Sequence, residues 1–255
     1  MLAYLSSLPG SLEPPPFTTF TSSSLPHTII ELGSGTGFLA ARIARLLHPD
    51  TDLLIATDLP SVCPLLQKNL HDLPVVQVQP LAWGNAHHAS ALATDLGLNI
   101  HNSNRPARYP THILCSDLVY FPALLAPLLR TLLHLTSPPF LSPSTAPPMQ
   151  VLLSYKIRSL PKETPFWSAL GLYFTLTPVL SPSGRFAPSD GDAFILVATR
   201  RPESLRWAVP ADDRELLGGV GAMGTDTWKE DDQFETMLLM EIGLGLSDDE
   251  DGEAA

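Results

Sequence analysis

Three glycines within five residues, Gly33-Ser-Gly35-Thr-Gly37, stand between the apolar run Thr28-Ile-Ile-Glu-Leu32 and a stretch of helical periodicity from Phe38 to Leu47. Glycine packed so densely at a strand-to-helix junction implies a tight turn with free backbone N–H groups, which a ligand can approach closely. The rhythm continues downstream: Leu53 to Thr57 reads as a strand, Ser61 to Leu70 as a helix, and Val75 to Val78 as a strand leading on to Trp83. It resumes with His112 to Ser116 as a strand, Ala123 to Leu135 as a leucine-rich helix, and Gln150 to Tyr155 as a further buried strand. These five strands are expected to be parallel. After a short helix around Phe166 to Leu170, the segments Tyr173–Leu180 and Ala193–Arg200 are separated by turn residues, so a closing antiparallel hairpin is predicted. The fold class expected is α/β, a Rossmann-like doubly wound sheet of seven strands, five parallel and then the hairpin.

The 255 residues suffice for one such domain plus tails. The chain divides into 1–26 as an N-terminal segment, 27–201 as the folded domain, and 202–255 as an acidic tail expected to be largely disordered, with an amphipathic stretch at Phe234 to Leu239. The 26 prolines cluster in loops, notably between Ser137 and Met149. No apolar run reaches the ~18 residues of a membrane-spanning helix, and Met1 to Gly10 lacks the basic and apolar regions of a signal peptide. Two cysteines, Cys63 and Cys115, make no disulfide framework, so a reducing, cytoplasmic or nuclear setting is expected. The net charge of -11 is concentrated: residues 230 to 255 hold ten acids and no Lys or Arg, which leaves 16 acids against 15 bases elsewhere. Nothing resembles the basic footprint of a nucleic-acid binder.

The glycine spacing is G-x-G-x-G with Glu31 two residues ahead, whereas a dinucleotide fingerprint is G-x-G-x-x-G. An acid so close to the loop disfavours a phosphate and suits a cationic ligand, such as the methionine part of S-adenosylmethionine. Asp58 ends the second strand, where a carboxylate can accept both ribose hydroxyls of an adenosyl group or can cap the helix beginning near Ser61. Trp83 either stacks on an adenine or anchors its own loop. Asp117 and Tyr120 end the fourth strand; there they can orient and wall a lysine amine, or can cap and pack against the helix beginning near Pro122. Only about one lysine in a thousand is neutral near pH 7, so a site for lysine must steer the ammonium in and favour its neutral form. His87, His88 and His101 lack ligand-spaced partners and read as solvated loop residues, with no metal expected. Cys115 reads as a buried, inert thiol. Tyr155, Lys156 and Arg158 either line a substrate groove or form a strand end in water.

With these elements in order, residues from about His27 to Arg200 resemble the class I, seven-β-strand S-adenosylmethionine-dependent methyltransferases. The closer resemblance is to the non-histone protein-lysine methyltransferases of family 16 type, which modify chaperones, the valosin-containing ATPase and elongation factors. It is carried by Glu31-Leu-Gly-Ser-Gly-Thr-Gly37, Thr57-Asp58, Trp83-Gly84, Ser116-Asp-Leu-Val-Tyr120, and Leu152 to Arg158 followed by Phe166-Trp167. The resemblance implies that Gly33, Ser34, Gly35, Asp58, Trp83 and Ser116 bind the cofactor, with Glu31 and Gly37 completing the loop. It also implies that Asp117 and Tyr120 match a D-x-x-Y element associated with lysine substrates. Members usually carry a β-hairpin and a Trp ahead of the glycine loop; here Met1-Leu-Ala-Tyr-Leu looks like the helix after that Trp, so the front is expected to be missing. The partner expected is a protein with a basic patch. A small-molecule N-methyltransferase and a silent binding module of the same fold are the alternatives, while a nicotinamide oxidoreductase would need the other glycine spacing.

Overall fold

The computed structural model describes residues 1–17, 26–98, 106–143, 147–182, 184–186 and 193–247. Seven strands form one sheet: β1 (Thr28–Leu32), β2 (Leu53–Asp58), β3 (Val76–Pro80), β4 (His112–Ser116), β5 (Gln150–Lys156), β6 (Phe174–Pro178) and β7 (Ala193–Arg200). Their order is β3-β2-β1-β4-β5-β7-β6, with β1 to β5 parallel and β7 antiparallel to both its neighbours. This is the Rossmann-like doubly wound sheet with the expected closing hairpin.

The central strands are apolar at nearly every position because each residue faces one of two buried layers. Ile30, Leu32, Ile55, Ile113, Val151 and Leu153 face one; Ile29, Leu54, Leu114 and Leu152 face the other. The first layer is closed by α4 (Ala86–Asp95), α5 (Pro122–Leu135) and α6 (Leu160–Tyr173), the second by α1 (Leu2–Leu5), α2 (Phe38–Ile43) and α3 (Cys63–Leu70). Among the described residues no helix is long and apolar enough to cross a membrane.

Three expectations need correction. The helix expected around Phe166 to Leu170 spans Leu160–Tyr173, because its first turn is held by Glu163 accepting from the N–H of Ser159. The histidines His87 and His88 lie in α4, not in a loop: Asn85 caps that helix by accepting both their N–H groups, and the Nδ1 of His88 accepts the Ala82 N–H at 3.0 Å. His101 lies outside the described residues.

The third correction concerns residues 202 to 247, expected to be largely disordered. They form a short helix α7 (Asp213–Leu217) and a long one, α8 (Gln233–Ser247), both against α6. Phe234 is only 2% exposed and stacks on Trp167 with ring centroids 4.3 Å apart and planes at 13°. Gln233 accepts the Leu176 N–H and donates to the Gly171 and Phe174 carbonyls, which occupies backbone groups on the otherwise open edge of β6. Acidic composition hid one aromatic that belongs to the core. Residues 248–255 lie outside the described residues. Phe234→Ala is expected to lower the unfolding free energy by about 3 kcal/mol in urea titration; an unchanged midpoint would mean that α8 does not dock.

Candidate active site

The chain leaves β1 toward β2 and leaves β4 toward β5, so a crevice opens above their carboxyl ends, the switch point where α/β folds bind ligands. Both sides of that crevice are built from residues singled out in the sequence. On the β1 side, Gly33 and Gly35 take φ of +61° and +56°, the left-handed region that glycine adopts without strain. A Cβ on Gly33 would meet Leu118 Cδ2 at 3.0 Å and Trp83 Cζ2 at 3.1 Å, so the Trp83 indole packs directly on the turn. A Cβ on Gly35 would meet nothing within 4 Å, so that face of the turn is open. Gly37, at φ +80°, is the residue from which α2 starts.

Two carboxylates hold the turn. Asp58, at the end of β2, accepts the Gly35 N–H at 2.8 Å and the Leu59 N–H at 2.7 Å. It does not cap α3, which begins beyond Val62. Glu31 lies beneath the turn, 2% exposed, and accepts the Ser34 hydroxyl at 2.7 Å. Burial pushes its carboxyl up to about 7 against the opposing effect of that hydrogen bond, and the nearby Asp58 adds to the rise. Glu31 and Ser34 therefore brace the loop from within.

On the β4 side, Ser116 is half-buried and registered with Ser154 of β5. Asp117 has φ +60°, uncommon for a residue with a Cβ, and its N–H donates to the Ser154 carbonyl at 2.7 Å. Its carboxylate does not cap α5, whose N-cap is Phe121. Arg158 takes it instead in a fork, Nη1 to Oδ1 at 2.8 Å and Nη2 to Oδ2 at 2.6 Å, and the same guanidinium lies 5.3 Å from the centroid of the Tyr120 ring. Tyr120 does not pack into the fold but is 48% exposed, and Phe121 and Ile157 are exposed at the ends of the same elements.

Sequence reasoning left Arg158 between groove and solvent and missed Glu163, which is 1% exposed. Glu163 accepts the Tyr155 hydroxyl at 2.5 Å and the N–H groups of Arg158 and Ser159, clasping the loop that carries Arg158. An acid in the first turn of α6 was the available signal. Burial and then the bond to Glu163 push the Tyr155 phenol up. Cys115 is fully buried and burial pushes its thiol up, as suits an inert residue. Among the described residues no group of three His, Cys, Asp or Glu could hold a metal.

The model of a lysine methyltransferase family matches residues 4–171. The chain belongs to that family. No curated protein matches it in sequence. Solved structures similar to it include the carbon methyltransferase of CurJ, 17% identical over 71% of this chain and 50% of that one with a TM-score of 0.46. The DszA carbon methyltransferase is 16% identical over 71% of this chain and 48% of that one, TM-score 0.45. An O-methyltransferase from Bacillus cereus in complex with SAH is 13% identical over 68% and 74%, TM-score 0.38. The chain spans about half the length of the first two.

S-adenosylmethionine is the cofactor of methyltransferases with this fold, and the residues present fit it. Gly35 leaves room for a ligand, Asp58 is fixed with lone pairs to spare beyond its two N–H partners, and Trp83 walls the turn. The raised carboxyl of Glu31 makes stability depend on pH. Folded Glu31 holds its proton up to about 7 while the unfolded residue loses it near 4.5, so its contribution is complete below 4.5 and lost as pH rises through 7. Between pH 4.5 and 8 the wild type should lose on the order of 3 kcal/mol relative to Glu31→Gln, measured by urea unfolding across that range. Parallel pH curves for the two proteins would show that Glu31 is ionised in the fold.

Proposed function

We propose that the chain transfers a methyl group from S-adenosylmethionine to the Nζ of a lysine in a non-histone protein of the chaperone, ATPase or elongation-factor class. The observation that carries this reading is the half-exposed pair Asp117 and Tyr120, standing at the carboxyl end of β4 next to the glycine turn of β1. Gly33, Ser34, Gly35, Gly37 and Ser116 would shape the cofactor's bed, Asp58 would take its ribose hydroxyls and Trp83 would wall its base. Glu31 would act by bracing Ser34. When bound, the cofactor supplies a methyl on a positively charged sulfur. The chain's own residues must do the rest: Asp117 accepts a hydrogen bond from the lysine amine, and the ring of Tyr120 confines its alkyl stem. Exposed Phe121 and Ile157 beside the pair favour a macromolecular surface over a small amine, which would be bound in an enclosed pocket.

Incubation with labelled S-adenosylmethionine in cell extract and with a panel of small amines tests the reading. Label in a protein band, mapped to lysine by mass spectrometry, is expected; label in small amines alone, or no transfer at high cofactor concentration, would overturn it. Asp58→Ala should weaken cofactor binding about 30-fold in calorimetry, some 2 kcal/mol, through loss of charge-assisted bonds.

The partner we propose is basic where it docks, since ten of the 26 acids lie in residues 230 to 255. Amides in place of Asp248, Asp249, Glu250, Asp251 and Glu253 should slow methylation at low salt and matter less at high salt. Equal rates at low salt would remove the tail from substrate capture.

A further inference from the structure

The fork of Arg158 on Asp117 bears on the central difficulty of the proposed reaction, and any part Arg158 plays in it rests on the reading of the site given under Proposed function. A lysine amine attacks only as the neutral base, yet a bare carboxylate beside it stabilises the ammonium and holds the proton on. Asp117 is not bare. Arg158 meets both its oxygens, at 2.8 and 2.6 Å, which is the bidentate geometry in which a guanidinium pairs most strongly. A carboxylate has about four lone-pair sites and the fork uses two, so Asp117 retains acceptors for another donor. With side-chain exposures of 48% for Asp117 and 40% for Arg158, the remaining faces of the pair are open.

We infer that Arg158 is a positioning residue: by cancelling the charge of Asp117 it lets that carboxylate orient the lysine amine without holding on to its proton. The proton leaves Nζ for water, which reaches the half-exposed pair. The other charged or titratable groups facing Arg158 are Glu163, whose carboxylate is engaged by the Tyr155 hydroxyl and the loop N–H groups, and the phenols of Tyr120 and Tyr155. Lys156 presents its carbonyl, which accepts from Nη1 at 3.3 Å. The full positive charge that ion-pair geometry places on Asp117 is that of Arg158, at 2.6 Å. Its position is fixed from two sides, by the clasp of Glu163 on the loop and by the Tyr120 ring at 5.3 Å.

The test uses the full chain and, as acceptor, a pool of lysine-centred peptides in which the wild type's methylated lysine is first identified by mass spectrometry. Arg158→Gln should displace the acidic limb of the kcat profile upward by about one pH unit and lower kcat about tenfold at pH 7.5, leaving S-adenosylhomocysteine affinity unchanged. Replacing the acceptor lysine by γ-thialysine, whose amine is more acidic, should restore most of the lost rate in Arg158→Gln and do less for the wild type. Arg158→Lys keeps the charge without the fork, so its profile should stay with that of the wild type even if the Gln variant does not fold. A uniform loss at every pH with no gain from γ-thialysine, or a faster Arg158→Gln with a lower KM, would overturn the inference; the second result would make Arg158 a plug in the amine's seat. A displaced Arg158→Lys profile would overturn it as well. Asp117→Asn separates the two levels: if it loses activity while Arg158→Gln behaves as wild type, only the role of Arg158 falls. If the wild type methylates no lysine in the pool, or Asp117→Asn is unaffected, the site reading falls and the inference with it.

Discussion

The hydrogen bond from the Gly35 N–H to Asp58 ties the turn after β1 to the end of β2, and the rest of the site is placed relative to that tie. It works only because β1 and β2 are parallel neighbours whose ends finish at the same height, with Glu31 registered against Ala56. Beneath it, Thr57 donates to the Glu31 carbonyl and Ser34 N–H donates to the Thr57 carbonyl, so the turn is stitched to the second strand at three places. A left-handed backbone at Gly33 and Gly35 is what allows these bonds to close in so few residues. The buried Glu31 carboxyl is the cost of this construction, and the Ser34 hydroxyl offsets part of it.

The carboxyl edge of the sheet divides into two functions of charge. On the β1 and β2 side, Asp58 accepts from two backbone N–H groups and keeps lone pairs for further donors. On the β4 and β5 side, Asp117 is neutralised by Arg158, itself positioned by the Glu163 clasp. In the proposed chemistry the first arrangement would leave a carboxylate for the cofactor's ribose hydroxyls and the second would orient a neutral amine, a physical division across one crevice. In the acidic C-terminal stretch, Phe234 and Gln233 dock on α6 and on the edge of β6, ahead of the charge-rich end of the sequence.

What could be read in advance differs by element. β1, β2, β4 and β5 are legible because both faces are buried and their positions are predominantly apolar. α4 is not, since its buried stripe is Ala89, Leu92 and Ala93, too narrow and small to stand out from Ala-His-His-Ala, although Asn85 marks its start. Among site residues, Glu31 to Gly37 and Asp58 are local signals, each tied to the end of a strand. The pairing of Asp117 with Arg158 joins residues 41 apart in the chain, and no periodicity reports such a distance.

Hydrophobic pattern and turn chemistry, which are properties of neighbours along the chain, were enough to set the strand sequence, the glycine turn and the order of the acids at its edge. Folding decided the pairing. Whether Asp117 capped a helix or faced a cation, and whether Phe234 belonged to a tail or to the core, depended on which surfaces the sheet brought together. Long-range contacts are fixed by packing of strands and helices in three dimensions, and a residue's type alone does not say which of its possible partners will arrive.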